Sequence, residues 1–452
     1  MLEIVGQTRR TCDGVSRRGF LRAGFLGTGM LGAAGLTLAD QLRADAWASA
    51  QGKPRSQKSV ILIWEHGGPS QLETFDMKPD APSEYRGPYE PIESTLPGLM
   101  VSEKMPYHAK IMDKTTVIRT LTHGNGDHWA AAHWLLTGYL GATGNDRPPR
   151  KPSMGSIISS MMGPTKPGAP AAINFNDGGF GYHGAAYLGV ANNPIRIGEF
   201  SYGNEAGRLP SAEASSFQLL AELSQERLAG RLDLTKQLDR VQREVDNRGT
   251  FDGMDRMNQQ AIDILLSGRT RDALDLSKED QKVRDEYGPG WGEQALMARR
   301  LIEAGVRYVS LNTGYWDDHG NLKGALDDKL PRHDRAVGVL IDDLARRGLL
   351  EDTLVVTAGE FGRTPRINKD AGRDHWPQTQ SILLAGGGYR HGQIIGSTTD
   401  KAEYPTSRPV TPNDFCMIIY HALGLSGDMT TLDLSGRPNK LLAGGEVPRE
   451  LL

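Results

Sequence analysis

Four short polar segments of this 452-residue chain gather acids and histidines. They are Thr122-His123-Gly124-Asn125-Gly126-Asp127-His128, Trp316-Asp317-Asp318-His319-Gly320, Gly359-Glu360-Phe361-Gly362-Arg363-Thr364-Pro365 and Gly372-Arg373-Asp374-His375-Trp376. Carboxylates bring negative charge and neutral imidazoles bring nitrogen lone pairs, a combination that suits a hard or borderline divalent cation. Two such cations about 3.5–4 Å apart can clamp the attacking and leaving oxygens of a phosphoryl or sulfuryl transfer. A single Asp-x-His is commonplace in solvated loops, so convergence of several is what counts. Arg363 offers a two-pronged guanidinium for phosphate or sulfate oxygens, or a salt bridge to Glu360 or Asp374. Gly67-Gly68-Pro69-Ser70 either presents N–H groups to an anion or is an ordinary turn.

These segments need a scaffold to bring them together. Residues 59–64 form a β-branched apolar run closed by Gly67-Gly68-Pro69, which predicts a buried first strand. The same signs predict strands over 116–121, 306–311, 353–356 and 381–385. Val337, Leu340, Ile341 and Leu344 share one face of an amphipathic helix expected over 334–347 and stopped by Gly348. Strand, helix and strand in that order build a βαβ unit with a parallel sheet. Ligands of such sheets bind beyond the carboxyl ends of the strands, and the four polar segments follow three of the predicted strand ends. Residues 140–215, rich in Gly, Pro and Asn, resist assignment. Residues 214–287 read as helical, with Leu234, Leu238, Val241 and Val245 as a core stripe.

The motifs carry a resemblance. Gly67-Gly68-Pro69-Ser70-Gln71, Thr74-Phe75-Asp76-Met77-Lys78-Pro79, Gly126-Asp127-His128, Leu136-Thr137-Gly138-Tyr139 and the three later polar segments resemble the exported bacterial DUF1501 family of the alkaline phosphatase and sulfatase superfamily. That resemblance implies a doubly wound, mostly parallel α/β sheet between helices, with a metal site at the strand ends. Trp316–His319 resembles the part that gives an Asp and a His to one metal, and His375 the late histidine that completes it. Where the superfamily ends a strand in Asp-His for a second metal, this chain has Glu360-Phe361. Pro409-Val410-Thr411-Pro412-Asn413-Asp414 to Leu423-Gly424 resembles the closing strand, loop and helix of sulfatases. The spacing that leads to the formylglycine precursor of sulfatases lands on His128, and the chain has no Cys-x-Pro-x-Arg stretch. Thr122 as nucleophile, a phosphorylated His128 and direct attack by water therefore stay open. Glu65, His66 and Asp76 are first-strand ligand candidates.

Composition narrows the setting. With 38% hydrophobic and 24% charged residues the chain is of the soluble globular kind. A net charge of −3 without a basic stripe beyond the first residues argues against nucleic acid. Ser16-Arg17-Arg18-Gly19-Phe20-Leu21-Arg22, an uncharged stretch over 23–39 and Ala48-Ser49-Ala50 predict a twin-arginine leader over residues 1–50. The expectation is one domain over 51–452, exported by the twin-arginine translocase to the periplasm or cell surface. Of two cysteines, Cys12 lies in that leader, so Cys416 has no internal disulfide partner, and its apolar neighbours predict burial.

The leading expectation is an exported, metal-dependent hydrolase of phosphate or sulfate esters, with a sulfated glycan as one candidate substrate. Asp317, His319, Glu360, Asp374 and His375 would hold one or two divalent cations (Zn, Ca, Mg or Mn). His128 or Thr122 would stand at the reacting centre, and Arg363 would hold the anion. The alternatives are a non-catalytic periplasmic or cell-surface binding protein on the same fold, and a metal-dependent mutase or lyase.

Overall fold

Every residue of β1 (Ser59–Trp64) is buried. Its side chains alternate between two cores: Ile61 and Ile63 enter one, Val60, Leu62 and Trp64 the other. The strand belongs to a computed structural model that describes residues 57–141, 150–177, 184–199, 264, 267–433 and 435–452. In chain order the further strands that matter are β2 (Thr115–Leu121), β3 (Ala172–Asp177), β4 (Ile195–Glu199), β5 (Tyr308–Asn312), β6 (Thr353–Ala358), β7 (Gly362–Arg363), β8 (His375–Trp376), β9 (Gln380–Ala385) and β10 (Gln393–Ile395). Eight of them form one sheet in the order β10-β2-β9-β6-β1-β5-β3-β4, while β7 and β8 make a separate antiparallel ribbon.

Helices cover both faces of the sheet. Leu296 and Leu301 of α3 (Trp291–Ala304) and Leu330, Val337, Leu340 and Leu344 of α4 (Leu322–Arg346) pack into the core of Ile61 and Ile63. Leu135 and Leu136 of α1 (His128–Thr137), Ile157 and Ile158 of α2 (Met154–Met161) and Ile418 and Ile419 of α5 (Pro412–Ala422) fill the other. The architecture is the expected doubly wound α/β sandwich with a mostly parallel sheet. No helix among the described residues is long and apolar enough to cross a membrane.

Three expectations change. β9 runs antiparallel to both β2 and β6. The chain between β6 and β9 contains no crossover helix, only the β7–β8 ribbon, so it returns in the opposite direction. α4 begins at Leu322 rather than near Asp334 and runs through Pro331. Proline normally ends such a reading because it removes a backbone donor; here Leu326, Leu330 and Val337 continue one buried face across it. Of the expected helical region, 269–274 and 281–287 are helical, whereas the 234–245 stripe and the 1–50 leader lie outside the described residues.

Two buried contacts fix the parts that carry the site. Cys416 of α5 is buried, donates to Leu135 O of α1 at 3.1 Å, and has its thiol pushed up by burial. Arg373, wholly enclosed, holds Glu73 at 2.6 Å and also donates to Tyr85 O, Thr364 O and Pro365 O. This pair pins the segment that leads into β8 against the segment after β1. Removing one member leaves an uncompensated buried charge, at a cost of about 3–5 kcal/mol. Glu73→Ala is therefore expected to lower the free energy of unfolding by that amount in denaturant titrations, and a loss below about 1 kcal/mol would contradict the pinning role.

Candidate metal centre

β6, β1 and β5 are parallel neighbours whose last residues stand in register, Trp64 beside Asn312 and Ala358. The loops that follow them leave the sheet at one edge and must pass close together. Gly68 makes this possible: its φ is +80°, and a Cβ there would sit 2.2 Å from Phe361 O. A side chain is excluded on both counts. α1 starts at the same edge, its first turn capped by Asp127, whose side chain accepts from Ala130 N at 2.9 Å. That cap places His128 at the mouth.

Three side chains meet there. Asp317 Oδ1 lies 2.9 Å from His319 Nε2 and 3.0 Å from His375 Nε2, and the two nitrogens are 3.1 Å apart. The far nitrogen of each ring is already used: His319 Nδ1 lies 2.7 Å from Asp374 Oδ1, and His375 Nδ1 2.8 Å from Gly126 O. A carboxylate and a carbonyl only accept, so both Nδ1 atoms carry hydrogens and donate. In the neutral form of each imidazole the Nε2 atom then holds a lone pair, and the two face a shared space, the disposition found behind metal-bound imidazoles. His128 adds a fourth group, with Nε2 at 3.3 Å from Asp317 Oδ2 and Nδ1 at 2.5 Å from Glu360 Oε1. The ligand atoms of His128, Asp317 and His375 all lie within 4.8 Å of one another.

Charge explains the ionisation states. Burial alone would raise the Asp317 carboxyl, but His128, His375 and the Arg363 guanidinium overcome it and hold it far below the usual range. Glu360, wholly enclosed, is pulled down against burial by its hydrogen bond to His128. Burial would lower the His128 imidazolium, but its hydrogen bonds to Asp317 and Glu360 and their charges win and lift it from 6.5 to about 9.

The structure sorts the expected residues into different places. Asp317, His319 and His375 converge with His128. Glu360 and Asp374, expected as ligands, instead stand behind imidazoles, Glu360 on His128 and Asp374 on His319. Arg363 does not face an open anion site. Its guanidinium is buried and donates to Gly67 O, Gly68 O, Arg373 O and Asp317 Oδ1, the last at 2.5 Å. It pairs with Asp317 rather than with Glu360 or Asp374. The Gly67 N–H goes to Glu360 at 2.9 Å and the Gly68 N–H to Glu65 O, so this turn is no anion cradle.

Thr122 is tied through its backbone N–H to Val410 O and has no hydrogen bond to the cluster. Glu65 lies 3.1 Å from His333, and Asp76 pairs with Lys78 and Arg119; neither joins the cluster. His66 is buried against Tyr315. Sequence reasoning missed Tyr315, whose hydroxyl donates to Asp317 Oδ2 at 2.8 Å. It also missed the carbonyl of Gly126, which has no side chain to betray it.

The sign of the His128 shift gives a pH test. An imidazolium with a raised folded-state pKa contributes stability that is full below 6.5 and is lost as pH climbs through about 9. The melting temperature of the chelator-treated protein is expected to fall across that interval, and Glu360→Gln to flatten the fall. An equal slope in the variant would contradict the assignment.

Comparison with known proteins agrees with the family expected above. No curated protein sequence matches the chain. Among solved structures, it is similar to the PsFucS1 sulfatase from Pseudoalteromonas sp., with 12% identity, a TM-score of 0.35 and coverage of 84% of this chain and 70% of that one. It is also similar to TAB5 alkaline phosphatase, at 11% identity and a TM-score of 0.35, covering 82% of this chain and 99% of the other. A third is the lipoteichoic acid synthase LtaP from Listeria monocytogenes, at 11% identity and a TM-score of 0.32, covering 82% and 73%. The sequence profile described as protein of unknown function (DUF1501) matches residues 57–452, and the chain belongs to that family.

Proposed function

We propose that this protein is a metal-dependent hydrolase of phosphate or sulfate esters. The observation that carries the reading is the pair of imidazole Nε2 atoms 3.1 Å apart, both Nδ1 atoms spent on acceptors, with Asp317 Oδ1 beside them. Facing lone pairs call for a positive charge between them. The donor set fits a divalent cation held by Asp317, His319 and His375, with His128 in reach. Imidazole-rich ligation suits Zn better than Ca, Mg or Mn, which favour oxygen ligands. A bound cation would supply Lewis-acid polarisation of an ester oxygen.

The chain's own residues do the rest. Arg363 and Tyr315 fix the Asp317 carboxylate from two sides. Phe361 lies 4.8 Å from the His128 ring and 4.6 Å from the His375 ring, and excludes water from that flank. Glu360 holds His128 by Nδ1 and so fixes the ring with Nε2 beside Asp317 at the mouth, from where its proton can pass to a departing alkoxide. With a twin-arginine leader over residues 1–50, the reaction takes place outside the cytoplasm.

A second reading, cation binding without turnover, is favoured by Phe361 itself, an apolar ring where the superfamily pattern has a second metal-binding histidine. Calorimetry and activity separate the two. The purified protein is expected to bind Zn and to hydrolyse an aryl phosphate or an aryl sulfate. Asp374→Ala, which removes the acceptor behind His319, should weaken metal binding about 10–100-fold, and His375→Ala should abolish activity. A loaded but inert protein would select the second reading, and absence of metal binding would end both.

A further inference from the structure

Beside the cluster lies an open cleft of about 610 Å³, lined by Tyr85, Arg366, Asp374, Trp376 and Glu403 among others. Its size falls within the ~300–1,000 Å³ of small-molecule sites. Successive strand residues point to opposite faces. At β8, therefore, His375 turns to the cluster while Trp376, and Asp374 just before the strand, line the cleft. One imidazole separates the two spaces: His319 donates to Asp374 through Nδ1 and faces Asp317 through Nε2.

The polar groups of the cleft are unspent in a telling combination. Trp376 Nε1–H already donates to Glu403 O at 2.7 Å and Tyr404 lies tilted against the ring at 5.7 Å, so what the half-buried indole shows the cleft is ring surface rather than its donor. The Asn368 amide and Lys369 are committed to neighbours of their own. Arg366, Glu403 and the Tyr85 hydroxyl have no side-chain hydrogen bond or ion pair among the described residues. Asp374 uses only Oδ1, leaving Oδ2 open.

The cleft thus shows two acceptor-only carboxylates, a guanidinium, a phenol and an aromatic face. Hydroxyls both donate and accept, so a ring rimmed with them satisfies carboxylate and guanidinium alike, while its C–H face covers the indole. An anionic unit would meet Asp374 and Glu403 as like charges, and an aryl or lipid chain would leave them without donors. We infer that this cleft is a saccharide subsite, which holds an uncharged sugar unit flanking the ester at the cluster. Its place beside an ester rests on the hydrolase reading; its capacity to bind sugar does not.

Calorimetry on the chelator-treated full chain tests this without catalysis. The probes are neutral gluco- and galacto-oligosaccharides, with uracil and 4-nitrophenol as non-sugar rings. At least one oligosaccharide should bind in the millimolar range or tighter. Trp376→Ala should weaken it by about tenfold or more, Trp376→Phe less, and the surface variants Arg366→Ala and Glu403→Gln measurably at unchanged melting temperature. No saccharide binding, equal binding of uracil or 4-nitrophenol, or undiminished binding by all of these variants overturns the proposal. Failure of the hydrolase assay would leave these measurements untouched, so the two claims fall separately.

Discussion

Asp317 Oδ1 and the Nε2 atoms of His319 and His375 stand within hydrogen-bonding distance of one another, and the rest of the site is arranged around that fact. Two nitrogens that point lone pairs at one space repel unless positive charge lies between or beside them. The chain holds them in place by fastening the opposite side of each ring, one to Asp374 and one to a backbone carbonyl. Arg363, buried and bonded to three carbonyls as well as to Asp317, supplies fixed positive charge that keeps the carboxylate ionised. Without such support the anion would take up a proton rather than remain charged in a poorly solvated site.

That arrangement requires precise convergence of chain segments far apart in sequence. Parallel register at β6, β1 and β5 aligns the strand ends, Gly68 lets two loops pass at contact, and the Glu73–Arg373 pair ties down the segment that carries His375. Each is a buried polar or conformational commitment that adds little net stability of its own. What they secure is geometry. Glu360 follows the same logic: enclosed completely, it orients His128 and the Gly67 amide at once.

Much of this was legible in the chain. Apolar runs near 59–64, 306–311 and 353–356 gave strands because their β-branched residues are buried on both faces, and the polar segments after them did meet. Of Asp317-Asp318 the expectation took Asp317; Lys329, reaching from α4, pairs with Asp318 at 2.6 Å and leaves Asp317 to the imidazoles, Arg363 and Tyr315. Pattern could not separate ligand from support, since Asp374 and Glu360 have the chemistry of ligands and only their position behind imidazoles gives them another role. Arg363 misled for a related reason: a guanidinium suits an anion, but its five donors also suit converging carbonyls. The antiparallel β9 and the helix running through Pro331 were hidden because loop length and packing, not local propensity, decided them.

A cation shared by Asp317, His319 and His375 is tested most directly by X-ray absorption at the metal edge of protein loaded with zinc. Imidazole scattering from at least two histidines and a light oxygen shell are expected at about 2.0–2.1 Å, with one imidazole lost in His375→Ala. A spectrum of oxygen ligands alone, or one unchanged by that substitution, would show that His319, His375 and Asp317 do not share a cation.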